Sequence, residues 1–394
     1  MSFSPMFAGI ASSVGFELAS LTVNDLIYGF LAFLFSVLLA FALTPVIRVL
    51  AFKIGAVDVP KDARRMHKKP IPLIGGLGIF ISFAVSSLLF LNNLDLKILG
   101  FLAGMLLMVV IGIIDDVKEI GALKKLLGQI VAALIPVLTG TRIDSVVIAG
   151  QTTVFPLWLS ILLTVLWIVG ITNAINLIDG LDGLACGVSV IASFCLVLTA
   201  IISSSYGTVA LLALLLAGSC MGFLPFNINP AKMFMGDTGA LMLGYALSTI
   251  SVMGVFKFSA LVSFVVPFLI VGLPASDTIT SIIRRLLKGQ SPFSADRGHL
   301  HHKLIDMGFS QRASVLILYA ISALLGICAV MFTTNKVHIA VFILLIGAGV
   351  LILDYCVLSS SKGARKESGV IENPEKYDET HKKEESPAET EEKK

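Results

Sequence analysis

Charge is scarce in this chain: Asp, Glu, Lys and Arg make up 14% of its 394 residues, while 56% are hydrophobic. With a mean hydropathy of +0.93, that balance excludes an ordinary soluble domain and points to a polytopic membrane protein. Cysteine is sparse too. Cys186, Cys195, Cys220, Cys328 and Cys356 all lie in or beside apolar runs, with no CxxC and no Cys/His ligand spacing, which argues against disulfides and a zinc site. No basic residue precedes Arg48, so the basic n-region of a signal peptide is missing and the first apolar run is expected to stay as a helix. The glycines of "KKPIPLIGGLG" lack the GxxxxGK[ST] pattern of a phosphate loop; Gly75, Gly76 and Gly78 are expected to permit close helix packing instead. No long internal repeat of the transporter kind stands out. The net charge of +3 says little by itself, and no nucleic-acid partner is expected.

Apolar runs are what the chain has in abundance. Those long enough to cross a bilayer number about eleven, near 25–50, 74–91, 98–114, 125–140, 156–173, 183–203, 207–224, 238–255, 258–283, 312–333 and 337–358. The expected fold is an all-α polytopic integral membrane protein. If the N-terminus is outside, loops 51–73, 115–124, 174–182, 225–237 and 284–311 share the inner side and hold most of the loop Lys and Arg residues. The opposite loops hold only Lys97, Arg142, Lys257 and Lys336. The positive-inside rule makes the first set cytoplasmic, and an odd number of spans puts the C-terminus there as well. A membrane domain over 1–358 would then be followed by a disordered, mixed-charge cytoplasmic tail over 359–394.

Four polar constellations fall on that cytoplasmic side. In "GIIDDVKEIGALKKLLGQ", Asp115 and Asp116 follow an apolar span directly. Adjacent carboxylates repel, so keeping both ionised favours a divalent cation or a cationic partner; a solvated helix end is the plainer alternative. In "NAINLIDGLDG", Asn173, Asn176, Asp179 and Asp182 recur every three residues behind an uncharged run. Oxygen-only side chains suit Mg²⁺ completed by substrate phosphates, whereas helix capping would need only one of them. "MFMGDTGAL" places Asp237 at the start of a span with Phe234 three residues earlier, either as a helix cap or as an acid beside a flat face for a base. In "SPFSADRGHLHHKL", His299, His301 and His302 lie among Arg297 and Lys303. That positive setting disfavours a dication and favours a phosphate. His67 and Lys68 add positive charge at the same face. Acids to hold Mg²⁺ and cations to hold phosphates, all at one surface, describe phosphoryl transfer at a membrane.

"DDVKE", "NAINLIDGLDGL", "MFMGDTGAL" and "SPFSADRGHLHHKL", in this order over roughly residues 25–335, resemble the polyprenyl-phosphate N-acetylhexosamine-1-phosphate transferases of glycosyltransferase family 4, in their bacterial undecaprenyl-phosphate GlcNAc-1-phosphate transferase form. Leu300 interrupts the histidines, which resembles the GlcNAc branch more than the phospho-MurNAc-pentapeptide translocases. The resemblance implies a helical, often homodimeric enzyme of the bacterial cell membrane, with its active site on the cytoplasmic face. It implies transfer of GlcNAc-1-phosphate from UDP-GlcNAc to undecaprenyl phosphate with release of UMP, at the start of teichoic acid, surface polysaccharide or O-antigen assembly. Mg²⁺ is the implied cofactor, with Mn²⁺ as a substitute.

Carried over by motif, Asn176 and Asp237 would bind the metal. Asp115, Asp116, Asp179, Asp182 and His299 would be catalytic. Lys68, Lys125, Asn173, Phe234, Arg297, His301 and His302 would bind substrate. The alternatives are a phospho-MurNAc-pentapeptide transferase or, in another class, an ion-coupled transporter. Transport sites gather near the bilayer midplane, and of the acids only Asp277 and Asp354 lie inside spans away from the motifs. Helix-packing hydrogen bonds or snorkelling would explain those two.

Overall fold

The computed structural model describes residues 22–59, 70–148, 151–202, 207–254, 266–287, 299–334, 336 and 338–341, apart from the side chains of Val147, Ile148, Arg284, Leu286, Leu287 and His301. It is mainly helical. The first helix, α1 (Val23–Ile54), opens on a reciprocal cap in which the Thr22 hydroxyl accepts from the Asp25 amide and the Asp25 carboxylate accepts from the Thr22 amide. It ends at Gly55, whose φ of 77° lets the chain turn out of the helix. At 1.5 Å per residue α1 is about 48 Å long, ample for a bilayer crossing. There follow α2 (Gly75–Phe90), α3 (Leu96–Lys118), α4 (Ala122–Leu138), α5 (Leu157–Ile178), α6 (Leu184–Ile202), α7 (Thr208–Asn227), α8 (Gly236–Gly254), α9 (Gly272–Leu287), the short α10 (Leu300–Asp306) and α11 (Gln311–Thr333).

Six of these, α1, α3, α5, α6, α7 and α11, are long and apolar enough by themselves to span a membrane. α2 is apolar but shorter. α8 fails on hydropathy for an instructive reason: from Thr238 to Val252 every residue is buried, so its Thr, Ser and Gly positions meet protein rather than lipid. α2, α3 and α5 all pack along it. Elsewhere α1 and α6 pack on α7, α11 on α6, and α4 lies between α3 and α5. The expected run 258–283 falls partly, and 337–358 and the tail almost wholly, outside the described residues.

Two antiparallel ribbons qualify the expectation of an all-α chain. β1 (Val57–Asp58) pairs with β2 (Ile71–Pro72), and β3 (Ser145–Ile148) with β4 (Gln151–Val154). The first ribbon bears on the site. The Phe234 amide donates to the Pro72 carbonyl (2.8 Å), the Gly75 amide to the Phe234 carbonyl (3.0 Å) and the Gly76 amide to the Met235 carbonyl (2.9 Å). These bonds fix where α8 begins. The close packing expected of the glycines holds for Gly75 and Gly76, where an added Cβ would overlap Phe223 or the Gly239 backbone; Gly78 stands in ordinary contact.

Candidate active site

Gly112 carries the approach of α3 to α8: a Cβ there would run into the backbone of Asp237 and Thr238. That closeness brings the last turn of α3 against the first turn of α8. Asp116 Oδ1 accepts from the Asp237 amide (2.9 Å), and Oδ2 accepts from the Thr238 amide (3.0 Å) and hydroxyl (2.6 Å). A carboxylate at a helix N-terminus satisfies amides that have no partner within the helix and meets the positive end of its dipole. Gly236, with φ of 68°, has no room for a Cβ beside the same carboxylate. Asp116, expected to be catalytic, therefore holds Asp237 in place.

Asp237 is the meeting point of three elements. Its Oδ1 accepts from the Asn176 amide at 2.5 Å, and Asn176 stands in the last turn of α5. Its Oδ2 takes the Lys125 ammonium from the first turn of α4. That ammonium also pairs with Asp115 at 2.9 Å and reaches the Asn176 carbonyl oxygen at 3.4 Å. Asp115 Oδ1 accepts from the Ile120 amide (2.7 Å), which folds the chain tightly out of α3 into α4. A cation thus sits among hard oxygen donors supplied by α3, α5 and α8. Its side chain is 15% exposed and that of Asp237 29%, so the cluster opens to one side and is not sealed in a core.

"NAINLIDGLDG" divides its labour. Asn173 exchanges hydrogen bonds with the buried Gln129 of α4, donating at 2.6 Å and accepting at 3.3 Å, so its amide joins helices and is not part of the cluster. Asn176 faces Asp237, as above. Asp179 caps the end of α5 and is only partly buried. Its carboxyl is pushed up to about 8 by burial first, and then by the carboxylates of Asp237, Asp116 and Asp182. Asp182 accepts from the Asn229 side chain (2.9 Å) and the Ala231 amide (3.0 Å), which ties down the loop leading to α8. Asn173 and Asn176 lie on α5, which stays α-helical through Ile178, and Asp179 and Asp182 lie in the turn that follows, where Gly183 has φ of 81°.

The histidine loop is described in part. His299 is buried, with Nδ1 at 2.8 Å from Asp277 Oδ2 on α9. His302 is half-buried on α10. Lys68, Arg297 and the His301 side chain lie outside the described residues. Phe234 is partly buried between β2 and α8, held by its backbone. Sequence reasoning passed over Gln129 and gave Asp277 only helix packing or snorkelling. Their signal was present as polar groups inside apolar helices, but not their partners.

Could these residues hold Mg²⁺? Among the described residues no three His, Cys, Asp or Glu side chains form a ready metal cage. Mg²⁺ seldom uses one; it takes one or two carboxylates and leaves the rest of its shell to water and phosphates. The oxygens of Asp237 and Asn176 gathered around the Lys125 ammonium fit that pattern.

A family model described as glycosyl transferase family 4 matches residues 98–255, the stretch that supplies Asp115, Lys125, Asn176 and Asp237. A Bacillus subtilis protein described as a probable undecaprenyl-phosphate N-acetylglucosaminyl 1-phosphate transferase is 42% identical over 318 residues, covering 80% of this chain and 88% of the relative. The chain belongs to glycosyl transferase family 4. It is a transferase with several membrane-spanning helices, and the transporter alternative falls away. Among its other relatives, a decaprenyl-phosphate N-acetylglucosaminephosphotransferase of Mycolicibacterium smegmatis is 38% identical over 69% of this chain and 74% of its own length. A phospho-N-acetylmuramoyl-pentapeptide-transferase of Bacillus cytotoxicus is 31% identical over 76% and 94%.

Proposed function

We propose that the chain transfers GlcNAc-1-phosphate from UDP-GlcNAc to undecaprenyl phosphate, giving undecaprenyl-diphospho-GlcNAc and UMP. The observation that carries this reading is the cation seat itself: Lys125, Asp115, Asn176 and Asp237, from four helices, converge on one partly open point. The higher identity to the GlcNAc-type relative than to the pentapeptide-transferase favours the GlcNAc donor.

In the reaction, an oxygen of the lipid phosphate attacks the sugar-linked phosphorus of the UDP-sugar. The bond from that phosphorus to the bridging oxygen breaks, and UMP leaves with its electron pair. Little covalent chemistry falls to the protein, so positioning and charge carry the acceleration. Asp237 and Asn176 would hold Mg²⁺, which when bound neutralises charge on the pyrophosphate oxygens. Asp116 keeps Asp237 in register by capping α8. Lys125 is placed to meet a phosphate oxygen while still anchored to Asp115. Asp115 takes the proton when the acceptor phosphate arrives as its monoanion. Asp179 and Asp182 shape the turn beside the nucleotide, and Phe234 offers a flat face to the uracil. His299, with His301, His302, Lys68 and Arg297, supplies positive or hydrogen-donating groups to the phosphates.

The reading extends to placement. Eleven spans, an outer N-terminus and a cytoplasmic C-terminus put this cluster at the cytoplasmic face of a bacterial cell membrane, supported by the basic inner loops; a homodimer completes the picture. The product would start a surface polymer. The test is a donor panel. Purified full-length protein in detergent, given undecaprenyl phosphate and Mg²⁺, should release UMP and form a lipid product with UDP-GlcNAc. Turnover only with UDP-GalNAc or UDP-MurNAc-pentapeptide would move the donor, and silence with all three would reject the reading.

A further inference from the structure

Asp115, Lys125, Asn176 and Asp237 come from α3, α4, α5 and α8, so their alignment is that of the four helices. Glycine settles three of the contacts between these helices. Gly104 of α3 lies on the Ala132 carbonyl of α4, Gly112 of α3 on the Thr238 backbone of α8, and Gly244 of α8 on the Thr172 backbone of α5, each with backbone too near for a Cβ. The fourth side, α4 against α5, has nothing of the kind. Gly170, the one glycine of α5, meets nothing within 4 Å, and Gly128, the one glycine of α4, is turned to Ile111 of α3. Polar side chains join these two helices instead. Lys125 and Gln129, four residues apart, share one face of α4, and Asn173 and Asn176, three apart, share one face of α5. They meet as two rungs. At the site the Lys125 ammonium reaches the Asn176 carbonyl oxygen at 3.4 Å. One turn deeper, Gln129 and Asn173 exchange hydrogen bonds at 2.6 and 3.3 Å. Gln129 is fully buried, and the reaction scheme gives it no task.

The first rung is long, and it yields when a phosphate or a metal takes up its groups. The second can stay made. Apolar contacts let two helices slide past one another, whereas two amides that each donate and accept fix both distance and angle. In coiled coils a single buried Asn sets register at a cost in stability, and register is the best-attested use of buried polar groups. A slip of one residue moves facing groups by about 1.5 Å along the axis and about 100° around it, enough to carry Lys125 away from Asn176. We propose that Gln129 is a positioning residue for the transfer: through Asn173 it fixes the register of α4 against α5 and so holds Lys125 opposite Asn176 and Asp237. This rests on the reading of that cluster as the place of reaction.

Leucine separates register from stability. Gln129→Leu strands the Asn173 carbonyl oxygen without its donor, which lowers the thermal midpoint. Adding Asn173→Leu removes the stranded group, so the leucine pair should regain the midpoint of wild type. Its activity should not return, because two leucines hold the helices together without fixing their alignment. As full-length protein in detergent, Gln129→Leu and the leucine pair should each lose about ten- to a hundred-fold in kcat, the scale of a misplacement of about 1 Å. In the Lys125→Met background Gln129→Leu should cost less than about threefold, because the group it positions is gone.

A second readout needs no turnover. Leu127 on α4 and Leu166 on α5 face outward, 55% and 60% exposed. Spin labels at Leu127→Cys and Leu166→Cys, in protein carrying Cys356→Ser and keeping its four buried cysteines, report the distance between the two helices. That distance should be single and narrowly distributed with Gln129 and Asn173 in place, and shifted or broadened in the leucine pair. An unchanged distribution, a kcat that returns in the leucine pair along with the midpoint, or full additivity of Gln129→Leu with Lys125→Met would each overturn the inference. If wild type turns over no donor, the functional reading fails and the catalytic part of this inference fails with it. The label distance still decides whether the amide pair sets the register.

Discussion

An ammonium group lying between two carboxylates can be a structural clamp or a working charge. The geometry of Lys125 favours work. Its nitrogen meets Asp115 at 2.9 Å and also touches Asp237 and Asn176, and the cluster is open to one side. A clamp would be expected deep in the helix packing, where a surviving pair needs every oxygen satisfied. Lys125→Met should therefore lower kcat by about a hundred- to a thousand-fold, the size of effect seen when one electrostatic donor is removed from a transition state. UMP release at saturating donor reads this directly. Retention of more than a tenth of wild-type kcat would return Lys125 to a structural role. The acids around it were legible as helix-end carboxylates in an apolar chain. Their partners were not. Asp116 reaches an amide 122 residues away and Lys125 a carboxylate 112 residues away, and no local periodicity encodes such pairings.

At the scale of elements, the site depends on how closely helices meet. α3 touches α8 because Gly112 has no Cβ to hold them apart, and the β1–β2 ribbon fixes the loop leading into α8. Gly112→Ala pushes a methyl group into the Asp237–Thr238 backbone. Overpacking of this kind costs about 1–3 kcal/mol, and here it also moves the Asp116 cap off the α8 amides. The expected result is a lowered thermal midpoint in detergent together with reduced turnover. A variant with an unchanged midpoint would mean that the interface yields and the cap survives. The helices themselves were visible as apolar runs of membrane-spanning length. α8 was expected as one more span, yet its burial by protein on all sides is a tertiary fact: its Ser, Thr and Gly content hinted at close packing but named no neighbours. The even spacing of "NAINLIDGLDG" says as little about partners. Asn173 and Asp182 serve α4 and the loop before α8, and only the fold shows where each side chain points.

At the scale of the whole molecule, a raised carboxyl pKa is a statement about folding stability. The Asp179 carboxyl sits at about 8 in the fold against an ordinary 3.8. Between those values the folded chain binds a proton that the unfolded chain releases. Stability from this group is thus fully present below the unfolded value and is lost as pH rises toward 8. Asp179→Asn removes the titration. In metal-free buffer, the thermal midpoint of the variant minus that of wild type should grow as pH rises from about 5 to about 8 and level off above. A difference that stays flat across that window would place Asp179 in an ordinary, well-solvated setting. Mg²⁺ should shrink the difference, because a nearby dication favours the ionised carboxylate.

The central claim is that the Asp237 cluster is where phosphoryl transfer happens, and one measurement tests it most directly. UMP release from UDP-GlcNAc is followed in purified wild type and in Asp237→Asn, each with and without undecaprenyl phosphate and Mg²⁺. The account predicts release by wild type that requires both lipid and metal, and a loss of at least about a hundred-fold in Asp237→Asn with the fold intact by thermal midpoint. Asp237→Asn turning over within a few-fold of wild type, with the same dependence on lipid and metal, would contradict it.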